Sequence, residues 1–253
     1  MSSAISTSQL TRHFGHSCAV DGLNLSVERG MFYGFLGPNG AGKSTTIKML
    51  TGLLAPTSGS MHIMGTDVSD PARSIEVKRR IGVVPENLAL FDNLTANEYL
   101  TFIGRMYGMD RATLSARREE LLTIMDLNET GRKLTMEFSH GMRKKLALAG
   151  ALIADPDVLF LDEPFEGVDA LAARVLRDTL QSCVARGATI FLTSHVLEIV
   201  EKLCTHVGII SKGRVVFEAS MEVIRRTGSL EDQFIRAVGG DGAVVQKLSW
   251  LDG

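Results

Sequence analysis

No run of apolar residues in this 253-residue chain approaches the ~18–20 that a helix needs to cross a bilayer. The nearest, 146–154, falls well short. Positive charge is not in excess either: 27 Lys and Arg stand against 29 Asp and Glu, a formal net charge of −2. That balance calls for no basic face of the kind that holds nucleic acid, and no nucleic-acid partner is expected. Cysteine is scarce. Cys18, Cys183 and Cys204 lie far apart, in no CxxC or Cys/His ligand spacing. They read as free thiols of a reducing compartment, each expected to be buried. The first residues, Met1-Ser-Ser-Ala-Ile5, hold no basic region ahead of an apolar stretch, so no secretory leader is expected there. A cytoplasmic location is expected, unless a partner holds the chain on a membrane. Internal repeats and low-complexity tracts are absent from the sequence as well.

What is present suits a globular protein. Hydrophobic residues make up 45% and charged residues 22%, enough for a core, and the length fits one large domain or one with an inserted subdomain. Short apolar runs alternate with helical patterns, which points to an α/β fold around a largely parallel sheet. Strands are expected at Phe32–Leu36, Ile81–Val84, Val158–Leu161, Ala188–Thr193 and His206–Ile210. The runs 158–161 and 189–192 are almost wholly apolar, as in a central strand covered on both faces. Between the second and third strands only helical signals occur. Thr95-Ala-Asn-Glu98 is a capping-box pattern for a helix to about Met106. Asp110 can cap a second, to about Met125, and Ser139 a third, to about Ala154. Residues 87–155 therefore read as a helical subdomain within a core of 1–86 and 156–218. A last strand at Gly213–Glu218, closing helices within 219–238 and a loose tail at 239–253 complete the expected order.

Gly37, Pro38, Asn39, Gly40, Ala41, Gly42, Lys43 and Ser44 fit G-x-x-x-x-G-K-[ST], the Walker A pattern. Glycines let backbone N–H groups curl around a phosphate chain, Lys43 sets an ammonium against the β and γ phosphates, and Ser44 offers a hydroxyl to Mg²⁺. A helix opening near Ser44 would aim its positive end at the same anion. The apolar strand at 158 ends in Asp162 and Glu163. Asp162 suits a Mg²⁺ contact through water, and Glu163 can polarise an attacking water. His195 follows the strand at 188. All three motifs thus sit at expected carboxyl ends of strands, the edge where open α/β sheets bind ligands.

This ordered set resembles the ATP-binding cassette (ABC) family from about Leu10 to Val238. Phe138-Ser-His-Gly-Met142 looks like its signature, usually LSGGQ. Gly167-Val-Asp-Ala170 looks like the D-loop, with Asp169 as its acid. Ile81-Gly-Val-Val-Pro-Glu86 sits where the family has its Q-loop. Phe14 lies where an aromatic residue stacks on adenine, the reading favoured here over plain core.

The resemblance implies a P-loop NTPase with a RecA-like core of mixed, mainly parallel sheet, an N-terminal antiparallel β portion and an inserted helical subdomain. It also implies ATP and Mg²⁺ as cofactors, with residues Gly37 to Thr45 on the nucleotide and Ser44, Asp162 and Glu86 near the metal. Two cassettes, alike or different, would pair head to tail, so that Ser139 and Gly141 of one address the γ-phosphate held by the other. Ser139 alone would read as an ordinary helix cap. A separate transmembrane permease subunit would hold the chain on the cytoplasmic face of a membrane.

Three departures stand out: His140 for a glycine, Met142 for glutamine, and Glu86 for the Q-loop glutamine. The PE of the Q-loop, the S-x-G-M signature, 91–100 and 229–234 resemble a subgroup of exporters. Two other readings remain open on the residues, a soluble non-transport ABC ATPase and a regulatory cassette with little turnover. The basic clusters Lys78-Arg-Arg80 and Arg143-Lys-Lys145 are expected to be solvated helix faces, and the methionines gap-filling core.

Overall fold

The computed structural model describes residues 3–239. In chain order its elements are β1 (Ser3–Phe14), β2 (Ser17–Glu28), β3 (Phe32–Leu36), α1 (Lys43–Leu50), β4 (Ser58–Ile63), β5 (Thr66–Asp67), α2 (Ser74–Arg80) and β6 (Ile81–Val84). Next come α3 (Ala96–Met106), α4 (Arg111–Ile124), α5 (His140–Leu152), β7 (Val158–Asp162), α6 (Ala170–Ala185), β8 (Thr189–Ser194), α7 (Leu197–Leu203), β9 (His206–Ser211), β10 (Arg214–Ser220), α8 (Met221–Thr227) and α9 (Leu230–Gly239). The tail expected beyond Gly239 lies outside the described residues.

Two sheets form. One is antiparallel, in the order β2-β1-β4-β5; the other runs β10-β9-β3-β8-β7-β6, parallel except for β10. Successive side chains of a strand point to opposite faces, and the central strands obey this. Tyr33, Phe35, Phe160 and Phe191 pack with the antiparallel sheet, α1 and Val77 of α2. Phe32, Leu36, Leu159, Leu161, Ile190 and Leu192 pack with the helices of the opposite side. Each position of β3, β7 and β8 is therefore buried. This is why those strands read as continuous apolar runs.

Side chains of the expected type begin the helices. Thr95 Oγ1 accepts from Glu98 N while Glu98 Oε2 accepts from Thr95 N, a complete capping box. Asp110 caps α4 and Ser139 caps α5, the latter accepting from Met142 N at 3.3 Å. The three helices α3 to α5 lie between β6 and β7 in sequence and share the hydrophobic core on one face of the large sheet.

Two expectations fail here. Lys144 and Lys145 are buried, not solvated, because α5 runs between α3, α6 and β6 with polar partners placed for its basic side chains. Lys145 Nζ lies 3.6 Å from Asp126, and Arg143 reaches Asp92 and the Thr135 carbonyl. In the other cluster Lys78 and Arg79 are exposed, while Arg80 pairs with Asp157 at 2.7 Å. Cys18 is exposed near the β1–β2 hairpin, whereas Cys183 and Cys204 are buried free thiols as expected. The methionines divide: Met49, Met61, Met125 and Met221 fill core, while Met106 and Met136 are exposed.

The close approach of α5 to β6 depends on Gly82. A Cβ there would run into the carbonyl of Ala151 and into Leu159. The obstacle is backbone, so one element must shift. Gly82→Ala should cost about 1–3 kcal/mol, the usual range for overpacking. The thermal midpoint should fall by roughly 2–4 °C per kcal/mol in a chain of this size. Calorimetry measures it, and an unchanged midpoint would show that α5 can ride off the sheet at no cost.

Candidate functional site

β3, β8 and β7 lie side by side and parallel, with Leu36 opposite Ser194 and Asp162 opposite Thr193. Their carboxyl ends are therefore level, and the segments leaving them converge. After β3 comes the glycine-rich loop. Gly42 has φ +111°, and a Cβ on it would stand 2.5 Å from the Ala19 carbonyl, so only glycine fits. Gly42 is also the N-cap of α1 and supplies no side-chain acceptor to the first turn. The leading N–H groups of α1 thus face the loop with the positive end of the helix behind them, as an anion site requires.

After β7 come Asp162 and Glu163, both less than a tenth exposed. Glu163 sits in the left-handed region at φ +49°, a strain of order 1–3 kcal/mol for a non-glycine residue. Hydrogen bonds hold it there. Its N–H donates to the Thr193 carbonyl at 3.3 Å and lies 3.2 Å from Thr193 Oγ1, and its carbonyl accepts from Lys144 Nζ at 2.9 Å. The carboxylate stands between the Lys43 ammonium and the His195 ring. Oε1 is 3.8 Å from Lys43 Nζ, and Oε2 is 3.0 Å from His195 Nδ1 and accepts from His195 N at 3.3 Å. Lys43 also donates to the Gly37 carbonyl at 2.8 Å. Asp162 Oδ1 accepts from Thr193 Oγ1.

These groups enclose a cavity of about 350 Å³. Pro38, Asn39, Gly40, Gly42, Lys43, Ser44 and Thr45 line it, together with Glu86, Glu163 and His195 from other elements. The size is within the range of small-molecule sites. Among the described residues no cluster of three His, Cys, Asp or Glu could hold a metal by itself. The oxygen donors of the lining are the Ser44 and Thr45 hydroxyls and dispersed carboxylates, which suits Mg²⁺, an ion that keeps waters and shares phosphate oxygens rather than filling an all-protein cage.

Not every expected residue joins the cavity. Gly37 and Ala41 shape the loop from behind, with Ala41 buried. Asp162 is buried and does not line the cavity. Phe14 is half exposed at the end of β1, outside the cavity, with the Arg12 guanidinium 4.6 Å over its ring. Ser139, Gly141 and Asp169 form a second locus. A Cβ on Gly141 would be 3.4 Å from Asp169 Oδ2 and 3.3 Å from Ala172, so the start of α5 and the start of α6 touch. Asp169 caps α6 by accepting from Ala172 N at 2.9 Å. His140 turns its ring to the Glu166 carbonyl, 3.1 Å from Nε2.

Four contributors carry no motif that singles them out in the sequence. Ala19 and Glu166 line the cavity, Thr193 ties Asp162 to Glu163, and Lys144 holds the Glu163 carbonyl. Thr193 stands beside the histidine motif and could have been found there; Ala19 sits in an unremarkable strand. Burial draws the Lys144 amine below its usual range, while Glu166, Asp162, Glu163 and Glu86 oppose that shift.

Comparison with known proteins agrees with this geometry. The family model described as ABC transporter matches residues 20–166. The chain is 37% identical to the daunorubicin resistance ATP-binding protein DrrA3 of Streptomyces coeruleorubidus, over 97% of this chain and 78% of that one. It is 39% identical to the bacitracin transport ATP-binding protein BcrA of Bacillus licheniformis, over 89% of this chain and 72% of that one. Among solved structures, an ATP-binding subunit of an ABC transporter superposes with a TM-score of 0.85 at 30% identity, covering 92% of this chain and 99% of that one. With its glycine loop, paired acids and histidine gathered at one sheet edge, the chain belongs to the ABC transporter family, as an ATP-binding and ATP-hydrolysing cassette.

Proposed function

We propose that the chain powers export through a separate membrane-spanning permease, and that hydrolysis takes place in the cavity at the carboxyl edge of the large sheet. The observation that supports this most is the placement of Glu163 between Lys43 and His195 over the glycine-rich loop. The loop from Gly37 to Thr45 wraps the phosphates with backbone N–H groups, and Lys43 meets the β and γ oxygens. Glu163 takes the proton of the attacking water and His195 orients that water or the γ-phosphate. Ser44, Asp162 and Glu86 would hold Mg²⁺, which when bound neutralises charge on the phosphate oxygens. Phe14 stacks on adenine with the face that Arg12 leaves free. Ser139 and Gly141 of a second cassette complete the site across a head-to-tail dimer, and Asp169 lies at the same contact. The relatives named for drug resistance and bacitracin transport favour export over a soluble role.

The step to the membrane runs through the helices of 87–155, which we propose move as a unit. Beside Glu86 a largely apolar groove of about 400 Å³ opens between β6, α3 and α5, lined by Pro85, Leu88, Leu90, Tyr99, Ile103 and Tyr107. No helix among the described residues is long and apolar enough to cross a membrane. The groove would seat a cytoplasmic segment of the permease. Ala89→Cys, in an otherwise cysteine-free variant, should crosslink to the permease in membranes; Leu171→Cys should not. The reverse pattern would move the contact elsewhere.

Two substitutions separate binding from chemistry. Lys43→Ala should abolish detectable Mg-ATP binding in calorimetry, since it removes the cation placed against the phosphates. Glu163→Gln should still bind ATP, persist as an ATP-bound dimer in light scattering, and lose turnover by ~10²–10⁴-fold, the usual contribution of a positioned base. Hydrolysis by Glu163→Gln near the wild-type rate would place the base elsewhere, with Glu86 the next acid to test.

A further inference from the structure

The turn that carries Glu163 is gripped at both ends by one face of α5. Residues 163–166 form a tight turn closed by Glu166 N donating to the Glu163 carbonyl at 3.3 Å. The same Glu163 carbonyl accepts from Lys144 Nζ at 2.9 Å. At the other end the Glu166 carbonyl lies 3.1 Å from His140 Nε2. A carbonyl only accepts, so the imidazole there carries its proton on Nε2. His140 and Lys144 are four residues apart, one above the other on a single helix face.

Their settings differ in an informative way. Lys144 is 2% exposed, a burial that an ammonium reaches only with partners in place. The His140 ring is exposed at its rim and packs on Gly167, where a Cβ would come within 3.1 Å of it. The opposite side of the turn is fixed by Thr193, which bonds both Asp162 and the Glu163 N–H. Glu163 is thus held between β8 and α5, in a backbone conformation that it would not choose alone.

We propose that His140 and Lys144 are positioning residues forming a two-point clamp, by which occupancy at the start of α5 sets the placement of Glu163. The inference rests on the composite site proposed above. In that arrangement the N-terminus of α5 addresses the nucleotide of the opposing cassette, while Glu163 serves the nucleotide of its own chain. The clamp then joins the two sites of a dimer through one helix turn and one β-turn. A rigid turn bonded at both ends transmits a displacement; a turn bonded at one end can pivot.

The test uses the full chain and five measurements: ATP affinity by calorimetry, the ATP-dependent dimer in a Glu163→Gln background, kcat, the Hill coefficient for ATP, and the thermal midpoint. Lys144→Met keeps the length of the side chain without its charge. It should leave ATP affinity and the dimer within about twofold, lower kcat by roughly 10- to 100-fold and bring the Hill coefficient toward 1. Lys144→Arg should restore most of the rate and the cooperativity. His140→Phe keeps the ring on Gly167 but removes the donor, and should lower kcat about threefold at unchanged KM, by the loss of one hydrogen bond. Wild-type kcat and Hill coefficient in both Lys144→Met and His140→Phe would overturn the clamp. So would a fall in kcat accompanied by equal losses of ATP affinity and thermal midpoint, which is the mark of a merely structural lysine. If Lys144→Met does not fold, the exposed His140→Phe decides alone. Failure of the composite site looks different: wild type itself would show a Hill coefficient of 1 and no ATP-dependent dimer, and the clamp would fall with it.

Discussion

The level register of three parallel strands is the constraint on which the rest depends. Leu36 lies opposite Ser194 and Asp162 opposite Thr193, so the glycine loop, the acid pair and His195 leave the sheet side by side. A slip of one residue would turn every side chain of a strand to the other face. In this sheet that would exchange the aromatic layer of Tyr33, Phe35, Phe160 and Phe191 for the mainly aliphatic layer opposite. The two faces differ in what they pack against, so the register is specified twice over. The same packing that stabilises the sheet therefore places the chemistry.

Charge at that edge is unevenly matched. Asp162, Glu163, Glu166 and Glu86 gather near the cavity, while Lys43 and Lys144 are the ammonium groups among them. Buried carboxylates persist only when paired or hydrogen-bonded, and each buried one here has its partner: Thr193 for Asp162, Lys43 and His195 for Glu163. Glu86, by contrast, is exposed at the rim. Its negative charge in place of an amide therefore carries little desolvation cost. It does add repulsion toward a polyphosphate, which a divalent cation between the two would reverse.

Most of the fold was legible because the strongest signals coincide with the strongest constraints. β3 and β6 fall on the expected residues, β7 and β9 run one residue longer at the far end, and β8 is displaced by one residue at both ends. Their apolar runs mirror burial on both faces. Capping chemistry located α3, α4 and α5 to within two residues at their far ends. What the residues alone did not show has separate causes. Lys144 and Lys145 are charged, and a charge run looks solvated until the partners are known; those partners come from 19 residues away, at Glu163 and Asp126. β1 and β2 are long, polar-rich and broken by register shifts; alternation is confined to the end of β2, at Leu23-Asn24-Leu25-Ser26-Val27. Phe14 is placed by resemblance, and nothing in its own neighbourhood beyond the Arg12 contact fixes what it does.

The start of α5 sets two neighbouring positions in different surroundings. Gly141 faces α6 at a distance where a Cβ would press lightly on Ala172 and meet Asp169 in ordinary contact, so the two helix starts leave little room there. His140 faces outward along the turn 163–167, where a larger residue meets a carbonyl and a glycine instead of a wall. A glycine at 140 would leave the Glu166 carbonyl without that donor and the start of α5 without side-chain contact to the turn. A ring there adds a polar tether at the point where the helix would meet a neighbouring molecule. Substitution of the usual glycine is thus compatible with the role proposed for Ser139, because the added side chain is turned toward the Glu166 carbonyl of its own chain.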